Sequence, residues 1–249
     1  MMKALSMEFY KIRHRKIGLM VLAIIAVQFI TVAYSIKRMK PYELPQGWMY
    51  SILLFAQINC FFMPIAVAVI GSRLSDIEHK GNTLKLLKAI MPSSQLFAAK
   101  FVCGTVYIVI TVILQIGFMI FAGHLKGFTQ EFPSGYFAYY LLFTLIVNLT
   151  LLLLQLIISL LFINQMISFV VAITGTLLGI FSMYIGSISK FVLWGYYCEL
   201  SPVRMNWDKD TRIIDLYWIN IPFGELSALV VIFILIYMIG KKLFVGKEI

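Results

Sequence analysis

Charge is scarce in this 249-residue chain: 13% of its residues are Asp, Glu, Lys or Arg, against 61% that are hydrophobic. A soluble domain of this length cannot bury so much apolar surface, so the composition assigns most of the chain to hydrocarbon. Acid is scarcer still, with 11 Asp and Glu facing 21 Lys and Arg. The three cysteines, Cys60, Cys103 and Cys198, are too few and too scattered for a disulfide framework or a metal site. His14, His79 and His124 fall in separate segments and form no metal-binding cluster. No spacing suggests a nucleophile and its base. The nearest approach to a phosphate loop runs from Gly240 to Lys247; it has one residue too many between its glycines and Glu248 where Ser or Thr belongs. The expectation is a chain that is not an enzyme and holds no cofactor or metal of its own.

What it does have is long hydrophobic runs. Crossing about 30 Å of hydrocarbon takes about 20 apolar residues in a helix. Six stretches meet that need: 17–36, 49–71, 101–123, 137–163, 167–186 and 222–243. The expected fold is an all-α integral membrane protein, one transmembrane domain of six helices over 1–249. With an internal N-terminus, Lys and Arg divide 13 on the inner face to 8 on the outer, which places both termini in the cytoplasm. Glu43, Glu131, Glu199, Asp208, Asp210, Asp215 and Glu225 all fall outside, so nearly all of the net charge of +10 sits on the inner face. That balance suits anionic membrane lipids rather than nucleic acid, which would need a soluble domain to grip it. The basic N-terminal stretch and the first apolar run are both too long for a cleaved signal peptide.

The smaller features refine this picture. Residues 1–16 read as an interfacial elbow helix, with Met2, Leu5, Phe9 and Ile12 on an apolar face and Lys3, Lys11, Arg13, Arg15 and Lys16 as its cations. The plainer alternative is a topogenic anchor. Pro64 predicts a kink in the second span. Gln57, Asn59, Gln115, Asn148 and Gln155 lie within spans and need partners there, as interhelical glue or as a polar translocation seam. The interiors of the first five spans hold no Asp, Glu, Lys or Arg, which argues against a proton- or sodium-driven carrier. Asn164–Gln165–Met166 is a turn tight enough to force antiparallel neighbours. Gly175, Gly179, Ser182 and Gly186 predict close packing of the fifth span. The outer loop, 187–221, mixes Trp194, Tyr196, Tyr197, Trp207, Tyr217 and Trp218 with carboxylates. It reads as interfacial helices carrying an aromatic belt, or as a surface for an amphipathic cationic peptide.

The segment 72–100 is the charged, helical insert between two spans. Gly81–Asn82 breaks the chain, Asn82 or Thr83 can cap a short helix over 84–91, and Pro92 ends it. Leu86, Leu87, Ile90 and Met91 make one apolar side, with Lys85 and Lys88 on the other, and Ser93 or Ser94 can cap the next helix. A short stiff helix held between two spans is suited to act as a lever; the plainer alternative is an ordinary amphipathic loop helix. The pattern Asp76-Ile-Glu78-His-Lys-Gly81-Asn-Thr83-Leu-Lys-Leu86-Leu87, then Pro92-Ser-Ser and Lys100, resembles the first coupling-helix region of ABC-type exporter permeases. The wording is most similar to the lantibiotic-immunity permeases of the epidermin, mutacin and nisin type.

The resemblance implies a cytoplasmic coupling helix and two permease chains, identical or sister. It also implies a separate ATP-binding subunit that carries ATP and Mg, and an antimicrobial peptide as the substrate. By the same resemblance Glu78, Gly81, Asn82, Thr83, Leu84 and Leu87 would couple to the ATPase, with Asn164 and Gln165 as a second coupling turn. Gln57, Asn59, Asn148 and Gln155 are the candidates for the path from the residues themselves. The competing readings are a permease for another antibiotic, a lipid or an ion, and a non-transporting membrane scaffold or sensor.

Overall fold

The computed structural model describes residues 2–13, 15–81, 83–207 and 214–247. Its long helices are α2 (Ile17–Lys37), α3 (Gly47–Lys80), α5 (Ser93–Lys126), α6 (Ser134–Leu161) and α10 (Phe223–Gly246), all long and apolar enough to cross a membrane. Between and before them lie α1 (Met2–Ile12), α4 (Leu84–Ile90), α7 (Met166–Ser182), α8 (Gly186–Ser189) and α9 (Tyr196–Glu199). Helix α7 is apolar but has 17 residues, fewer than the 20 read from the sequence. Beyond Ser182 the amides of Met183, Tyr184 and Ile185 each bond three residues back, so the chain tightens into turns instead of continuing the helix.

Helices α3 and α5 have 34 residues each, about 51 Å of helix at 1.5 Å per residue, and so outreach the hydrocarbon. The surplus of α3 lies at its C-terminal end, where it carries Arg73, Asp76 and Glu78. Helix α3 runs on through Pro64 without interruption. Helices α3 and α6 form the buried centre, with Phe55, Ile70, Leu74, Tyr140, Phe143 and Leu156 all inside. They approach closely at Gly71, where a Cβ would sit 3.1 Å from the backbone nitrogen of Leu156. Helix α10 is the opposite case: Val231, Ile234, Leu235, Met238 and Ile239 face outward as an apolar surface suited to lipid.

Lys100 bonds Glu8, and Lys247 bonds the carbonyls of Leu160 and Leu161. The start of α5, the ends of α6 and α10, and α1 therefore share one basic end of the bundle.

Helix α1 buries Ala4, Glu8 and Ile12, with Glu8 drawn inward by ion pairs, and leaves Met2 and Phe9 exposed. One expectation is corrected here: the outer loop is not helical throughout. After α8, a 3-10 turn (Leu193–Gly195) and α9, the chain forms an antiparallel hairpin of β1 (Val203–Trp207) and β2 (Ile214–Trp218). Val203 pairs with Trp218 and Trp207 with Ile214. Both five-residue strands carry β-branched and aromatic residues, the composition that fits a pleated surface. Asp208 and Asp210 lie outside the described residues.

Candidate functional site

The basic end is organised by four buried charges brought from three helices. Glu8 of α1, Glu78 of α3 and Lys100 of α5 are essentially inaccessible to solvent, and Lys11 of α1 closes the cluster at its edge. Lys100 Nζ lies 3.0 Å from Glu8 Oε2, 2.8 Å from Glu78 Oε1 and 2.7 Å from the carbonyl of Leu74. The contacts to Glu8 and Leu74 are hydrogen bonds, and the contact to Glu78 is an ion pair. Lys11 Nζ lies 2.9 Å from Glu8 Oε1 and 3.0 Å from Glu78 Oε1. Two carboxylates against two ammoniums make the cluster neutral, which is what permits its burial. Burial alone would lower the pKa of Lys11, but Glu78 and Glu8 outweigh it and hold the amine above its ordinary 10.5. At the rim, Asp76 pairs with Lys80 at 3.0 Å and Arg15 at 3.9 Å.

Helix α4 sits beside this cluster in the chain. Its seven residues match the short helix expected from the sequence, one residue shorter at its end. Thr83 occupies its N-cap position but makes no side-chain cap, and α5 opens at Ser93 behind Pro92 with no serine cap either. The apolar side drawn from the sequence is split. Leu87 is buried in the bundle, while Leu86 and Ile90 point outward, 60% and 69% exposed. Lys88 turns to the end of α10.

The other sequence-predicted residues fall as follows. Glu78 is buried in the ion cluster, so it meets α1 and α5 rather than an exposed surface. Gly81 ends α3; Leu84 begins α4; Asn82 lies outside the described residues. In the turn after α6, Asn164 Oδ1 accepts the amide of Met166 at 3.0 Å, and Gln165 Nε2 donates to the carbonyls of Ser159 and Phe162 at 3.2 Å. Both side chains build the turn, and its apolar residues Phe162, Ile163 and Met166 are exposed.

The intramembrane polar residues do not form one seam. Asn59 sits in a closed network: Gln28 donates to it at 3.2 Å, and it donates to Gln115 at 3.2 Å and to Tyr140 at 3.0 Å, while Gln115 donates back to Gln28 at 2.9 Å. That network joins α2, α3, α5 and α6 and uses its amides on one another, as interhelical glue does. Asn148 accepts from the hydroxyl of Tyr197 at 2.6 Å, and Gln155 from Ser168 at 2.6 Å. The amide nitrogens of Asn148 and Gln155 have no partner among the described residues. Gln57 lines a separate cavity of about 310 Å³ with Met183, Ser189, Glu199 and Arg204, towards the hairpin end. Gly175 makes room for the ring of Trp194, and Gly179 for both Trp194 and Cys60 of α3, which a Cβ there would meet at 3.1 Å.

Sequence reading missed Gln28, Tyr140, Glu8 and the burial of Lys100. A glutamine inside the apolar run 17–36 was a visible sign for the first. The rest depend on which helices touch.

The sequence profile of the ABC-2 family transporter proteins matches residues 4–182. The chain belongs to the ABC-2 transporter family. No curated protein and no solved structure matches it. The match runs from α1 through α7 and so includes both the ion cluster and α4, whereas the hairpin and α10 lie beyond it. An ABC-2 permease is a multi-pass transport subunit, and membership implies an ATP-binding partner subunit.

Proposed function

We propose that this ABC-2 permease is the membrane subunit of an ATP-driven exporter that expels lantibiotic-type antimicrobial peptides and so gives immunity or resistance. Two permease chains, identical or sister, work with two copies of an ATP-binding subunit that carries ATP and Mg. In this reading α7 completes a count of six passes, α1 is the elbow on the inner leaflet, and the basic end with both termini faces the cytoplasm.

The observation that carries the proposal is α4, a short helix at the basic end with Leu86 and Ile90 outward and Leu87 seated in the bundle. Leu86 and Ile90, with Phe162, Ile163 and Met166 of the second turn, offer an apolar surface to the ATP-binding subunit. Nucleotide-driven movement of that subunit biases the spans between inward- and outward-facing packings. The ion cluster makes α1, α3 and α5 answer together, which is the role of Glu78 here. Asn148 and Gln155, with spare amide donors inside the bundle, are the favoured path residues, and Gln57 lines the exit side. An amphipathic cationic peptide suits the exposed Met205, Trp207, Ile214 and Tyr217 of the hairpin.

The test is survival of cells expressing the permease with its genomic neighbours under lantibiotic challenge, wild type against a hydrolysis-dead ATP-binding subunit. Protection that depends on hydrolysis supports the proposal. Protection that persists without hydrolysis replaces it with a scaffold or sensor. No protection against any lantibiotic redirects it to another antibiotic, a lipid or an ion.

A further inference from the structure

Helix α4 is too short to be stable alone, and its ties reach beyond the pair of helices that flank it in sequence. Leu87 seats its apolar side, and among the described residues its side-chain hydrogen bonds come from Lys88, which donates to the carbonyl of Lys247 at 2.7 Å and to that of Phe244 at 3.2 Å. The same ammonium stands 5.2 Å above the ring of Phe244, which is fully buried against Phe97 of α5. Phe244 lies in the last turn of α10, where carbonyls lack intrahelical donors and carry the negative end of the helix dipole, and Lys247 is the C-cap that follows it.

A second lysine repeats the arrangement one helix further on. Lys247, at the end of α10, donates from Nζ to the carbonyls of Leu160 and Leu161, both at 3.0 Å, which close α6. The end of α6 is also held by His79 of α3, 3.0 Å from the carbonyl of Ser159. Near this end α10 and α6 pack tightly, since a Cβ at Gly240 would meet Ile157 at 2.1 Å. Burial lowers the pKa of both amines, and for Lys88 the neighbouring charge of Lys247 lowers it further.

We infer that Lys88 and Lys247 form a two-step relay that carries displacement of α4 to the end of α10, and from there to the end of α6 and the 162–166 turn. The relay rests on the reading of α4 as the coupling helix, and it makes α10, outside the family match, part of the transmission. Lys88 and Lys247 are positioning residues: they touch neither substrate nor nucleotide.

The two variants Lys88→Met and Lys247→Met separate the steps. In hydrogen–deuterium exchange on the full chain in nanodiscs, Lys88→Met speeds exchange in the last turn of α10 and also in the last turn of α6. Lys247→Met speeds it in α6 and leaves α4 as in the wild type. In the complex with the ATP-binding subunit, peptide exported per ATP hydrolysed falls about fivefold or more in both variants, and Lys88→Arg restores it. An effect of Lys88→Met that stops at α10, or an unchanged export ratio in both methionine variants, overturns the relay. A wild-type complex that hydrolyses ATP and exports no lantibiotic, yet shows the exchange pattern, removes the peptide reading and leaves the relay standing.

Discussion

Lys100 shows at single-residue scale how the basic end is built. Its ammonium is inaccessible and paired with both carboxylates, so Lys100→Met leaves Glu8 and Glu78 buried with only Lys11 to balance them. The expected cost is about 3–5 kcal/mol, read as a fall in the thermal midpoint of the purified protein. Adding Glu8→Gln removes one of the stranded charges, and the double variant is expected to be more stable than the sum of the two single losses. Lys11 supplies a pH signature. Its pKa is raised above 10.5 in the folded protein, so the folded state holds this proton more tightly than the unfolded one. Its stabilisation is complete below 10.5 and disappears as pH rises through the raised value. The midpoint difference between wild type and Lys11→Met should therefore be flat from about pH 7 to 9 and shrink above 10.5. The residue types at this site were visible in the sequence, but the pairing of Glu8 with Lys100, 92 positions apart, was not. Local spacing carries no information about which helix ends meet.

At the scale of elements, α4 and the α3–α6 contact make separate predictions. Leu87 faces the bundle and Leu86 faces out. Leu87→Asp is expected to unseat α4 and lower stability, whereas Leu86→Asp should leave stability within about 0.5 kcal/mol of wild type and reduce co-purification of the ATP-binding subunit. Equal capture of the partner by Leu86→Asp and wild type would remove that surface from the interface. Gly71 permits the close approach of α3 to α6. Because the obstacle to a side chain there is backbone, Gly71→Leu should cost about 1–3 kcal/mol, again read from thermal unfolding. The position and length of α4 were legible because a Gly–Asn break and a proline bracket it. The inward turn of Leu87 was not legible, since all four apolar residues of the segment look alike until the neighbouring helices are present. The hairpin was missed for a related reason: its aromatics fit a membrane belt and a strand equally well.

At the scale of the whole molecule, alternating helix directions bring α1 and the end of α10 to the same basic end. In a cysteine-free background, a membrane-impermeant maleimide should label Tyr42→Cys in intact cells and Met2→Cys only after permeabilisation. Labelling of both in intact cells would overturn the proposed orientation. Hydropathy determined, from the sequence alone, that this is a helical membrane protein and where most of its spans and its charged insert lie. These are properties of single segments meeting a solvent, and a linear string records them in full. The tertiary structure alone decided that α7 stops at Ser182, that the polar residues divide between a closed network and two sites with spare donors, and that four charges neutralise one another at the basic end. It also decided that α4 is fastened to α10. Each of those outcomes depends on which surfaces are pressed together, because a buried charge or amide is tolerable only where a partner from another helix arrives within hydrogen-bonding distance.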